Sequence, residues 1–443
     1  MSTPRNPWNV FNLRASPFWQ DPLGNEDPDH SLELFVGRGT DLKQLTDALF
    51  GAGASSSRRA IHGAAGVGKT TLVKRFKASA QAEGYLTSDS FVPVLSGDTA
   101  ESLFGRFLSG VYDTLLANRP HVLDHPAMRS AQVLVRAARE LMSGGGVSLA
   151  GVGVSASRSA STTTPRDLLL DGPRVLRDLM TLVRESGAAG LVAHVNNFEN
   201  LSDVDVERAA VILRDLRDPL FMHPGLHVVL VGTTDAVQTM VLTHAQVRST
   251  FALHTLEPLT ARDVHTLLDR RYRRLALSPK AKVLPPVELE AVAALHGWYR
   301  GDLRGLLKAL EDGVTPNIGL LDTLRPMRLD ELVTTLRPRY VAELSATADE
   351  VRVVQLAQWG AHDATGPRTQ KELQTLWSLG QSGVSHALVW HMRAGYVVAL
   401  PREGASARQY VLTGLGRVVV DAFEPSTPAH RGRARPAPTR RNR

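Results

Sequence analysis

The chain contains no cysteine. That excludes disulfides and thiolate metal sites, and it suits a reducing compartment such as the cytoplasm. No apolar run approaches the ~18 residues of a membrane span, so no membrane partner is expected. The N-terminus, Met1-Ser2-Thr3-Pro4-Arg5, lacks the apolar core of a secretory signal. Acids are missing from the last thirteen residues, which carry six arginines: Arg431, Arg433, Arg435, Arg440, Arg441 and Arg443. Those six account for most of the net charge of +7, so the rest of the chain is almost balanced. The tail therefore favours a polyanionic partner. The general preference for Arg over Lys, with abundant Ala and Gly, reflects GC-rich coding rather than a nucleic-acid footprint. Apolar residues make up 43% of the chain, enough for a sizeable core. A length of 443 residues suggests three domains at one per ~150 residues.

The most informative segment is Gly63-Ala64-Ala65-Gly66-Val67-Gly68-Lys69-Thr70, followed by Thr71. It matches G-x-x-x-x-G-K-[ST] at every fixed position. Glycines let backbone N–H groups turn inward around an anion. Lys69 reaches β- and γ-phosphates, and the Thr70 hydroxyl is suited to Mg²⁺. An apolar stretch precedes the loop and a helical run follows it, so the helix N-terminus adds partial positive charge. ATP and Mg²⁺ are the expected cofactors.

Strand patterns fall at Arg59–His62, Phe91–Leu95, Leu191–Val195, Val228–Gly232 and Phe251–His254, separated by helical patterns. This predicts an α/β unit with a largely parallel sheet. Residues 1–30 read as an extended arm pinned by Trp8, Phe11, Phe18 and Trp19. The ATPase domain is expected over 31–255. Its segment 143–164 is rich in Gly, Ser and Thr and carries one charge, Arg158. A loop and a β-hairpin both suit that segment. Helices Thr260–Leu275, Pro286–Leu295 and Asp302–Asp312 form a second pattern over 256–340. A third covers 341–423, and residues 424–443 read as a disordered basic tail.

Phe35-Val36-Gly37-Arg38, followed by Asp41-Leu42, stands upstream of the loop. Together with the loop it resembles the entry segment of AAA+ and related STAND ATPases. The resemblance implies that Val36, Gly37 and Arg38 line an adenine pocket. It also implies an acidic pair after the next strand, one acid for Mg²⁺ and one to polarise water. Here Leu191–Val195 is followed by Asn196 and Asn197, with Glu199 two residues beyond. An amide takes no proton and is a poor base. Two readings stay open: slow hydrolysis through Glu199, or ATP binding as the signal itself. Thr233 and Thr234, after the strand that ends at Gly232, resemble sensor 1. Arg214 and Arg217 are candidates for an arginine finger offered to a neighbouring subunit. Thr260 and Asp263 form a capping-box-like pair at the start of a helical lid. Arg304, in Gly301-Asp302-Leu303-Arg304, resembles sensor 2.

Beyond residue 341, helices at Asp349–Trp359, Gln370–Leu376 and Ser382–Arg393 precede strands Tyr396–Leu400 and Gln409–Leu412. Thr369 and Glu372 form a capping box. Val384, Ala387, Leu388, His391 and Met392 make a buried stripe, with His391 in the core. The pattern resembles a winged helix-turn-helix. The resemblance implies that Gln381, Ser382, Ser385, His386 and Arg393 face the major groove of double-stranded DNA, with Arg402 and Arg408 at the wing. Winged helices also serve as protein-binding modules, so a partner protein is the other reading.

The whole order is P-loop domain, helical lid, winged helix. It resembles the origin-recognition group of AAA+ initiators, with STAND-type switches as relatives. The resemblance implies a homo-oligomeric, DNA-binding ATP switch. The alternative is a signalling or phage-defence ATPase whose winged helix contacts protein.

Overall fold

A computed structural model describes residues 6–24, 28–52, 55–88, 90–142, 165–198, 201–319, 324–362, 365–400 and 408–421. The 143–164 insertion and the 424–443 tail lie outside the described residues. The chain forms two compact units. One is Gln20–Arg274; the other joins Met1–Trp19 to Leu275–Arg443.

In the first unit, Leu226–Gly232 is buried at every position. A strand reading Leu-His-Val-Val-Leu-Val-Gly has no polar face, so it suits the middle of a parallel sheet covered on both sides. The elements in chain order are α1 (Gly39–Ala52), β1 (Arg58–His62), α2 (Lys69–Ala82), β2 (Leu86–Thr87) and β3 (Val92–Pro93). Helices α3 (Ala100–Asn118), α4 (Pro126–Met142) and α5 (Pro165–Glu185) follow. Then come β4 (Leu191–Asn196), α6 (Asp203–Asp215), β5 (Leu226–Gly232), α7 (Thr234–Leu242), α8 (Ala245–Thr250), β6 (Ala252–Thr255) and α9 (Ala261–Leu275). The sheet order is β2-β4-β5-β1-β6, with β3 also on β4, and every pairing is parallel.

Side-chain alternation divides the core. Ile61, Val192, Val229 and Val231 face α1 and α2, among Leu45, Leu49, Leu72 and Phe76. Ala60, Leu191, Val195, Val228 and Leu230 face the opposite layer, among the apolar side chains of α3 to α7. The expected strands are present with ends shifted by one or two residues. The exception is Phe91–Leu95, of which only Val92–Pro93 pairs. The first lid helix expected from sequence, α9, belongs to this unit.

Residues 6–19 are part of the other unit. Trp8, Phe11, Leu13 and Phe18 are buried there, with Trp8 edge-on to Phe18 at 5.9 Å. Backbone bonds tie this segment down: Arg14 N to Leu275 O at 2.9 Å and Leu277 N to Asn12 O at 3.0 Å. Helices α10 (Leu289–Tyr299), α11 (Leu303–Val314) and α12 (Leu329–Thr347) follow. The sequence pattern did not reveal α12, because Pro338 interrupts it. The C-terminal elements are α13 (Glu350–Ala361), β7 (Arg368–Thr369), α14 (Gln370–Trp377), α15 (Gln381–Arg393), β8 (Val397–Leu400), β9 (Gln409–Leu412) and α16 (Gly414–Val420). Strands β7-β9-β8 form an antiparallel sheet. The Thr369–Glu372 capping box is present. Ser378, in left-handed backbone, ends α14.

Close backbone packing joins α16 to its neighbours. A Cβ on Gly414 would lie 2.4 Å from the Tyr299 ring, and one on Gly360 2.7 Å from Val420. Beneath them Tyr340 donates to Asp312 at 3.2 Å, and Arg339 pairs with the same carboxylate at 3.0 Å.

Two predictions follow from this packing and burial. Gly414→Ala should lower stability by about 1–3 kcal/mol through overpacking. Gly297→Ala, where a Cβ meets nothing within 4 Å, should be neutral or stabilising. Urea midpoints of the two variants check this. The second concerns His194 and His227, which burial lowers from 6.5 to about 3 and about 4, helped by Lys77 and Arg58 respectively. The unfolded chain takes up protons at the ordinary 6.5, while the native imidazoles stay neutral. Stability is therefore complete above 6.5 and falls as pH drops towards those lower values. Denaturant midpoints at about pH 7.5 and about pH 5 should show the loss, and His194→Gln should reduce it.

Candidate nucleotide-binding site

The parallel register brings several strand ends to one edge of the sheet. His62 lies opposite Gly232 on one side and Thr255 on the other. Val195 pairs with Leu230, which carries Asn196 to the level of Val231. An open α/β sheet places ligands outside these carboxyl ends.

From His62 the chain enters the glycine loop. Gly66 has φ +75° and Gly68 φ +95°, conformations that favour glycine. A Cβ on Gly63 would sit 2.5 Å from the Leu256 carbonyl, so the loop rests directly on the backbone leaving β6. Gly68 is the N-cap of α2, and Lys69, Thr70 and Thr71 form its first turn. The buried Lys69 ammonium donates to the carbonyls of Gly63 at 3.0 Å and Ala64 at 2.8 Å. It therefore lies along the loop, where an entering phosphate competes for it.

The Val36–Arg38 segment meets the loop from outside. Arg38 is buried and donates to the Val67 carbonyl at 2.9 Å. Its ion partner is Asp41 at 3.7 Å, and His254 holds the other Asp41 oxygen at 3.0 Å. Burial lowers the Arg38 pKa, while Asp41, Asp263 and Glu257 raise it. Gly37 has φ +69°, and a Cβ there would lie 2.7 Å from Asp263 and 2.8 Å from Leu259. Val36 is half-buried. The guanidinium of Arg38 thus faces the loop backbone and Asp41.

Asn196 ends β4 with its side chain buried, and its Oδ1 has no hydrogen-bond partner among the described residues. Asn197 takes left-handed backbone, φ 84°, and its amide donates to Val94 O at 3.0 Å. Glu199 lies outside the described residues. Thr233 is the N-cap of α7, though its hydroxyl does not cap the helix. Thr234 Oγ1 stands 3.4 Å from His62 Nδ1, and Thr255 Oγ1 stands 3.2 Å from His62 Nε2. Burial first, then His254 and Lys69, lower the His62 pKa against the pull of Glu257. A neutral imidazole has one donor and one acceptor nitrogen, so it orients both hydroxyls.

Arg214 and Arg217 are each paired with the following acid, Asp215 at 2.8 Å and Asp218 at 2.6 Å. Arg304 is exposed on the first turn of α11, in the other compact unit. His62, His254 and Arg270 were not singled out by the motifs. Each finds its partner on a remote segment, and only the glycine next to His62 was a local cue.

On α15, Gln381, Ser382, Ser385, His386 and Arg393 are exposed, and Val384, Ala387, Leu388 and His391 are buried. Val389 is also exposed on that helix. Gln370 donates to Ser385 Oγ at 2.7 Å. Arg408 is exposed before β9; Arg402 lies outside the described residues.

Residues 34–229 match the family model of the AAA ATPase domain. The α/β parallel-sheet architecture is that of an AAA+-type P-loop NTPase. No curated protein matches the sequence. Among solved structures, the chain is similar to ORC2 of Aeropyrum pernix in ADPNP–ADP complexes. Identity is 15%, covering 92% of this chain and 96% of that one, with TM-score 0.46. It is similar to ORC1 of the same organism in complex with DNA, at 15% identity, 95% and 96% coverage and TM-score 0.45. It is also similar to Cdc6p of Pyrobaculum aerophilum, at 13% identity, 94% and 96% coverage and TM-score 0.37. Among the described residues no helix is long and apolar enough to cross a membrane.

The loop's contact with Leu256 gives a direct check. Gly63→Ala should displace the loop and weaken binding of a fluorescent ATP analogue at least about tenfold. Gly84→Ala, where a Cβ meets nothing within 4 Å but φ is +83°, should change stability alone.

Proposed function

We propose that this protein is an ATP-binding switch that couples nucleotide state to double-stranded DNA. The single observation that supports it best is the glycine loop sharing one sheet edge with the Asn196 amide oxygen, which is buried and has no hydrogen-bond partner among the described residues. A hydroxyl at Thr70 and an amide oxygen at Asn196 fit a divalent cation whose charge is balanced chiefly by the triphosphate. Mg²⁺ bound there would neutralise β- and γ-phosphate charge. Lys69 would hold the same oxygens, with Thr233 or Thr234 near the γ-phosphate. Arg304 would serve as sensor 2, and Arg214 or Arg217 would act on a neighbouring copy in a homo-oligomer. An amide at Asn196 and another at Asn197 leave the described end of β4 without a carboxylate base, so turnover would be slow and would depend on Glu199.

The C-terminal elements suit a winged helix. Helix α15 would enter the major groove with Gln381, Ser382, Ser385, His386 and Arg393. Arg402, Arg408 and the six tail arginines would contact phosphate. The second reading is a STAND-type signalling or phage-defence switch whose winged helix binds a partner protein. Exposure of Val389 on α15, and of Val351 and Val354 on α13, favours that reading.

Fluorescence anisotropy of a labelled duplex with the full-length protein tests the proposal. Binding at low salt should strengthen with ATP and weaken steeply as salt rises. Lys69→Ala should lose nucleotide binding and the ATP response together. Absence of duplex binding at low salt sinks the DNA reading, and normal nucleotide affinity in Lys69→Ala sinks the phosphate site.

A further inference from the structure

We propose that residues 33–38 are a strap that links helix α9 to the glycine loop, with Arg38 as the positioning residue at its end. The inference rests on the loop being the nucleotide site.

The strap is held on α9 at two levels. At the first turn, Gly37 lies against the Asp263 and Leu259 side chains, which stand 2.7 and 2.8 Å from where a Cβ would be. Asp263 is itself fixed by its reciprocal bonds with Thr260, at 3.1 and 3.2 Å. Further along the helix, Arg270 donates to the carbonyls of Glu33 at 3.1 Å and Phe35 at 2.8 Å. Arg274, at the end of α9, pairs with Glu33 at 3.9 Å. The position of residues 33–37 is therefore set by α9, the helix through which the chain leaves this unit.

Arg38 follows at once and turns inward. Its guanidinium binds the Val67 carbonyl. The peptide unit is planar, so the Val67 C=O and the Gly68 N–H point in opposite directions from one rigid plate. Drawing the carbonyl outward aims the Gly68 N–H into the loop. That N–H heads the α2 terminus, where an anion is received. Asp41 and His254 complete the buried cluster and keep the Arg38 charge compensated. A shift of α9 thus becomes a rotation of one phosphate-binding peptide.

The test uses the full-length chain and two probes, a fluorescent ATP analogue and inorganic tripolyphosphate as its competitor. Arg270 is exposed, so Arg270→Ala should fold; circular dichroism and a melting curve confirm it. That variant should bind both probes roughly three- to tenfold more weakly, the scale of a partly screened charge-assisted bond. Arg270→Lys should restore most of the affinity, because an ammonium also donates to two carbonyls. Wild-type affinity in Arg270→Ala, with binding lost in Lys69→Ala, overturns the strap and leaves the site standing. Loss confined to the ATP analogue, with tripolyphosphate unaffected, also overturns it, because the strap would then serve the base and not the loop. Undiminished binding in Lys69→Ala refutes the underlying site instead.

Discussion

The alignment of His62 with Gly232 and Thr255 is the constraint on which this protein depends. A fully buried, apolar strand such as β5 can pair with parallel neighbours in other registers. A slip of one residue would send Ile61, Val229 and Val231 to the wrong layer. The hydrophobic division between the α1–α2 face and the opposite face thus locks the register. Once locked, it lines up the strand ends, and the loop, the α7 N-terminus and the backbone leaving β6 meet there. Gly63 is pressed against Leu256 for the same reason. The site is a consequence of core packing.

Charge at that edge is arranged unusually. Lys69 and Arg38 both reach the loop's carbonyls, and the described strand end offers amides. Such an edge favours holding an anion over activating water, because an amide coordinates but accepts no proton. The buried side of the loop is fixed by Arg38, whose own burial is made tolerable by Asp41, Asp263 and Glu257. Holding nucleotide is the chemistry proposed for this arrangement, and the proposed coupling to DNA builds on it.

The other unit obeys a different constraint. Its core accepts the N-terminal segment as well as α10 to α16, because Trp8, Phe11, Leu13 and Phe18 supply apolar surface that helices alone leave open. Small residues then decide how near the helices come. Gly360 and Gly414 let α16 approach α13 and Tyr299 to distances any side chain would block. This packing joins the three-helix segment α10–α12 and the C-terminal elements into one compact unit.

Much of this was legible in the residues. The loop from Gly63 to Thr70 was readable because its chemistry lies within eight consecutive positions. The capping pairs Thr260–Asp263 and Thr369–Glu372 were readable because they close over three residues. The buried stripe of α15 at Val384, Ala387, Leu388 and His391 followed from helical periodicity, whereas Met392, expected with them, is only half-buried. Helix α12 was hidden by Pro338, and the strand expected at Phe91–Leu95 shortened to Val92–Pro93, the two residues in ladder register with β4. The roles of His62 and Arg38 had no local signal. His62 joins hydroxyls from the start of α7 and the end of β6, and Arg38 meets Val67 from 29 residues away. Sequence by itself determined what could form through contacts a few residues apart: strands, helices, caps and a phosphate loop. Only the tertiary structure decided where Arg38 points and which unit owns residues 6–19. Those choices depend on sheet register and on closing long loops, and no short stretch of chain encodes either.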